Sequence, residues 1–242
     1  RLVANGVAAV SVSDTSVSEN LYGGIYVESA EQSFTELHGF TSTNNAVTQV
    51  ETYTFDDATL TIDGLVATGE AEAGVAITSE STVPVVANGI ASSGNSPGLV
   101  LATYEPEAVI NVTDASAIGS VSSPGVVIYG NGAVNLAAAT VSDNILGGIL
   151  VQNEENVVRI SGSTISGNGS IDGASDIGGI LVFSDGGDVS IDRSTISGNT
   201  AVVGAGIYSF RGELQDPSVV RITSSTISGN TAERSGAIQL EN

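Results

Sequence analysis

The sequence predicts an all-β chain, a right-handed parallel β-helix of about eight rungs with three short strands each, and three observations lead there. The hexapeptide Ser-Thr-Ile-Ser-Gly-Asn occurs at residues 163–168, 194–199 and 225–230, two equal steps of 31 residues. Every copy follows an alternating apolar triplet and precedes a small-small-Ile step. No stretch keeps a 3.6-residue apolar period for three turns, so the periodicity is that of strands. A fixed period of this size with short strands marks a solenoid, in which each unit buries its apolar face only against its neighbours.

The middle strand carries the most regular signal. Looser copies of the hexapeptide begin at Thr140 and Ser16, and all five share a hydroxyl residue, a β-branched residue, Ser, any residue and Asn. The β-branched positions are Val17, Val141, Ile165, Ile196 and Ile227, which form the expected core stack. The Asn positions are Asn20, Asn144, Asn168, Asn199 and Asn230. Asn tolerates tight left-handed corners and bonds neighbouring amides, so the five are expected to form a structural ladder at one corner.

The first strand of each unit is a triplet such as Val158-Arg159-Ile160 or Val220-Arg221-Ile222, with the outer two residues inward and Arg outward. The third strand follows Gly-Gly-Ile at 147–149 and 178–180 and reads Gly-Ala-Ile at 236–238. In the middle of the chain the pattern is fainter. Tyr53-Thr54-Phe55 with Leu60, Val83-Pro84-Val85 with Ile90, and Ile110-Asn111-Val112 with Ala117 are read as three more units. Their third strands are expected near 74–77, 98–101 and 125–128. The whole of 1–242 then reads as one β-helix domain, with 28–50 as a loop insert between rungs that carries the sole histidine, His38. Stacked about 4.8 Å apart, eight rungs span roughly 35–40 Å.

Composition narrows function. Net charge is −21, and all six cations are arginines. No basic stripe is present to meet phosphates, which argues against nucleic acid as a partner. No apolar run approaches the length of a membrane span. Cysteine is absent, which excludes disulfides, zinc–thiolate sites and thiol catalysis. No cofactor is expected, although calcium stays open as a ligand of stacked turn carboxylates and carbonyls.

The [Ile/Val]-Ser-x-Asn step followed by Gly-Gly-Ile resembles the repeats of bacterial polymorphic outer-membrane proteins and autotransporter-like adhesins, and at fold level the pectate-lyase-like superfamily. The resemblance implies display outside the cell or at its surface, and adhesion.

The leading expectation is therefore a structural or adhesive surface protein without catalytic residues. It is either a segment of a large adhesin or a subunit stacked head to tail into a filament, because neither end shows a capping segment. The partners expected are a second copy end to end, or continuation in a longer chain, with a host or matrix polysaccharide as a further candidate. The alternative is a polysaccharide-binding or polysaccharide-cleaving protein, for which Asp56-Asp57, Glu154-Glu155 and the group Asp172, Asp176, Asp185, Asp188 and Asp192 offer carboxylates. Six Tyr and five Phe, scattered along the chain, read as a thin supply of sugar platforms. Gly94-Asn95-Ser96-Pro97-Gly98 matches a nucleophile-elbow pattern, but in a loop between strands it lacks the helix that motif requires.

Overall fold

A computed structural model describes residues 1–153, 157–170, 177–184, 186–211 and 219–241. Every strand pair in it is parallel and joins a residue to its counterpart one coil later. A ten-stranded sheet runs from Leu2–Ala4 through Thr48–Asp56, Leu99–Thr103 and Ile180–Ser184 to Ile238–Leu240. A sixteen-stranded sheet holds the alternating triplets and the short Thr-Ile-Ser strands. Thr200–Val203 and Thr231–Arg234 form a third, two-stranded sheet. The right-handed parallel β-helix is the fold of the chain. No helix among the described residues is long and apolar enough to cross a membrane.

The winding is more regular than the sequence suggests. Val12 pairs with Leu37, Leu37 with Ile62, Ile62 with Ala87 and Ala87 with Val112, each a step of 25 residues. The step is then 24 through Leu136 and Ile160, and 31 through Ile191 and Ile222. Residues 28–50 are thus a coil and not a loop insert. Phe34–His38 pairs on both sides with Ala9–Ser13 and Thr59–Thr68, and Thr41–Thr43 pairs with Ser16–Ser18.

Two further expectations shift. Tyr53-Thr54-Phe55 lies in the ten-stranded sheet, with Thr54 inward and buried, and the true triplet of that coil is Leu60-Thr61-Ile62. In the next coil the triplet is Val85-Val86-Ala87, and Ser92 takes the stack position in place of Ile90. Ile110-Asn111-Val112 with Ala117, and all three expected third strands, lie where the sequence puts them.

The core explains the disguise. The stack runs Val17, Ser42, Ala67, Ser92, Ala117, Val141, Ile165, Ile196, Ile227. Three of its four small members, Ser42, Ala67 and Ser92, sit two residues after large ones, Phe40, Leu65 and Ile90, all buried, and the fourth, Ala117, follows Ala115. Its large members sit two residues after Ser163, Ser194 and Ser225. Side-chain volume is exchanged between adjacent columns, which keeps the interior close-packed while the motif changes.

Corners are fixed by backbone. Asp14, Gly39, Gly64, Gly89, Asp114, Ala138, Gly162, Arg193 and Ser224 are all left-handed, with φ between 47° and 68°. A second left-handed residue follows each after five positions, from Glu19 to Gly229. The two columns bracket the short strand and hold its length at three residues.

Candidate functional site

The Asn corner forms a directional interior column. Asn168 donates its backbone N–H and its Nδ2 to Oδ1 of Asn199, both at 3.0 Å. Its other Nδ2 hydrogen reaches the Val141 carbonyl of the preceding coil at 2.9 Å. Asn144 makes the same bonds to Asn168 and to the Ala117 carbonyl, and Asn199 the same to Asn230 and the Ile165 carbonyl. Gly148 makes room for the column, since a Cβ there would lie 3.0 Å from Asn168 Nδ2 and 2.5 Å from the Gly179 carbonyl. That contact is the physical basis of the Gly-Gly-Ile step.

Asn20 belongs to a separate stretch. Its Nδ2 and N–H donate to Oδ1 of Asn45 at 2.8 and 3.0 Å. Asn45 in turn donates to Gln49 Oε1, and Gln49 Nε2 reaches Asn95 Oδ1 at 3.4 Å. Asn45, Gln49 and Asn95 are buried. The sequence does not announce these three, because Ser42 and Ser92 stand where the motif has Val or Ile, although Ser93-Gly94-Asn95 keeps the Ser-x-Asn step.

Among the described residues the candidate carboxylates stand apart on the outside. Asp57 accepts the Thr82 hydroxyl at 2.8 Å, and Asp192 lies 2.6 Å from Arg193 and accepts the Thr223 hydroxyl at 2.8 Å. Glu154, Glu155, Asp172, Asp176 and Asp185 lie outside the described residues. Among the described residues no three His, Cys, Asp or Glu side chains converge as a metal site. His38 sits in a strand with Nδ1 3.1 Å from Asp63. Ser96 is buried, and its Oγ accepts hydrogen bonds from Ser120 Oγ, Val121 N and Ser122 N at 2.9–3.1 Å.

The outward face of the ten-stranded sheet is the most distinctive surface. The sheet register places two columns on it. One reads Tyr26, Glu51, Ala76, Val100, Val127, Leu150, Leu181, Tyr208, Gln239. The other reads Glu28, Tyr53, Thr78, Ala102, Tyr129, Gln152, Phe183, Phe210. From Ala76 to Phe210 neither column holds a charge, in a chain of net charge −21.

Eight of the eleven aromatic residues that the sequence shows as scattered are gathered here. Tyr26, Tyr53 and Phe55 meet with ring centroids 5.6 and 6.3 Å apart. Tyr104 and Tyr129 meet edge to face at 6.1 Å. Phe183, Phe210 and Tyr208 meet at 4.9 and 5.2 Å. Ala102 and Thr78 face outward yet are buried, 0% and 6% exposed, beside these rings. Burial pushes the Tyr53 and Tyr129 phenols up to about 12, with a hydrogen bond to Glu51 adding at Tyr53 and the neighbouring Tyr104 phenol adding at Tyr129. Column membership is invisible in the sequence, because the steps between coils in this sheet vary from 23 to 31 residues.

In comparison with known proteins, the family described as "Right handed beta helix region" matches residues 108–242. No curated protein and no solved structure matches the chain.

Proposed function

Because the chain belongs to the right-handed β-helix family, we propose that it is a structural, adhesive element displayed outside the cell or at its surface, and not a catalyst. It acts either as a segment of a large adhesin or as a subunit stacked head to tail. The polarity of the Asn column carries this reading. Each Asn accepts at Oδ1 from the preceding coil and donates N–H and Nδ2 to the next. A further coil placed after Asn230 meets donors, and one placed before Asn20 meets an acceptor. Val12, Val17, Ile222 and Ile227 are partly buried hydrophobics in the coils beside those positions. A new coil at either end would cover them and extend both core and ladder in register.

Electron microscopy of native material, with intact-mass analysis of its polypeptide, tests this. The expected result is filaments, or one longer polypeptide whose coils continue this solenoid. Short single rods made of a complete chain of this length would contradict it.

The alternative, a polysaccharide-binding or polysaccharide-cleaving protein, is favoured by one observation, the aromatic face of the ten-stranded sheet, whose two columns carry no charge from Ala76 to Phe210. Release of reducing ends or unsaturated sugars from polysaccharides would establish cleavage.

A further inference from the structure

The aromatic face has an internal spacing. Counting coils from Tyr26, rings of the first cluster occupy coils one and two, those of the second coils four and five, and those of the third coils seven and eight. Thr78 and Gln152 fill the ring column in coils three and six. At about 4.8 Å per coil, the clusters recur roughly every 14 Å along a strip of roughly 40 Å. Alternation of flat rings with hydrogen-bonding side chains suits a ligand that is itself apolar on its faces and polar at its edges.

We propose that this strip binds a neutral polysaccharide, laid along the solenoid axis with sugar rings stacked on the three aromatic clusters. A sugar ring presents C–H bonds on its faces and hydroxyls around its rim. The faces meet Tyr53, Tyr129 and Phe183, and the rim meets Gln152 and the tyrosine hydroxyls. Charge selects against acidic polymers: the two columns hold no charge between Ala76 and Phe210, the Arg1 guanidinium over the Tyr26 ring is paired with Glu28, and the net charge of −21 repels an anionic chain. The clustering also argues for a long ligand, because one cluster is a small contact and three in line act together through effective concentration. The inference deepens the adhesive reading and rests on it, naming what the adhesive face holds.

Affinity electrophoresis of the full chain tests it, in gels containing a soluble neutral β-glucan, a neutral mannan, or polygalacturonate. Retardation is expected in at least one neutral gel and not in polygalacturonate. Tyr53→Ala, Tyr129→Ala and Phe183→Ala are each expected to weaken binding about tenfold, with their β-sheet circular dichroism unchanged. Gln152→Trp supplies a platform at an exposed gap in the ring column, and it is expected to strengthen binding several-fold. A gain of that kind has no explanation in misfolding. The proposal is overturned if neither neutral polymer retards the chain, if polygalacturonate retards it as strongly as the neutral ones, or if both the Ala variants and Gln152→Trp migrate like the parent. It is also overturned if the Ala variants change only self-association, measured by sedimentation, because the face then meets a second copy. Filaments without glycan binding defeat this inference alone. Glycan binding by a short, complete, unassembled chain defeats the assembly reading and leaves this one standing.

Discussion

Asn168 and Asn199 are joined by two hydrogen bonds to one oxygen, from Asn168 N–H and Nδ2 to Asn199 Oδ1. The pair converts a corner that must turn sharply into a place where buried backbone and side-chain groups satisfy one another. Replacing Asn168 by Ala strands the Asn144 N–H, the Asn144 Nδ2 and the Val141 carbonyl at once, while Asn199 Oδ1 keeps the backbone N–H of residue 168. The expected loss is about 3 kcal/mol, since each unmet buried group costs on the order of 1–3 kcal/mol. Asn20→Ala, at an exposed position, is expected to cost under about 1 kcal/mol. Urea unfolding midpoints of the two variants check the contrast.

The left-handed corners give a pair of opposite effects. At Gly162 an added Cβ meets nothing within 4 Å, so Gly162→Ala isolates the backbone cost at φ 57°. It is expected to destabilise by about 1 kcal/mol. Ala138 already occupies the same column at φ 52°. Ala138→Gly is expected to stabilise by up to about 1 kcal/mol, as relief of the left-handed strain outweighs the added freedom of the unfolded chain. Thermal unfolding of both variants reads the sign.

The raised phenols make a pH prediction. In the folded chain Tyr53 and Tyr129 titrate near 12 in place of the ordinary 10. The folded state therefore holds these protons more tightly than the unfolded state. Their contribution to stability is complete below pH 10 and is lost as pH rises toward 12. Burial and Glu28 raise Tyr26 as well, so phenolate absorbance should show Tyr26, Tyr53 and Tyr129 ionising late, and Tyr129→Phe should flatten the decline in stability over that window.

Legibility of the fold followed side-chain volume. Where the stack holds Ile165, Ile196 and Ile227, the motif repeats word for word and the coil is plain in the sequence. Where it holds Ser42, Ala67 and Ser92, the bulk has moved to Phe40, Leu65 and Ile90, and the signature dissolves although the winding is unchanged. The coil around His38 was hidden for that reason. The Asn column from Asn144 to Asn230 could be read from spacing, but Asn45, Gln49 and Asn95 join through a network that no repeat announces. The aromatic face was hidden for a different reason. Tyr129 and Phe183 stand on one surface because of register, and register depends on loop lengths that residue types do not reveal.

The stacking of one middle strand directly on the next supports everything else, and the absence of native cysteine makes it directly measurable. Thr164, Thr195 and Thr226 are exposed and occupy one outward position in three successive coils. In the double variant Thr164→Cys/Thr195→Cys the two Cα atoms lie about 4.8 Å apart, within disulfide range. In Thr164→Cys/Thr226→Cys they lie about 9.6 Å apart, beyond it. Mild oxidation followed by intact-mass analysis should show an intramolecular disulfide in the first and free thiols in the second. Free thiols in the first, or equal crosslinking in both, would contradict the stacked register.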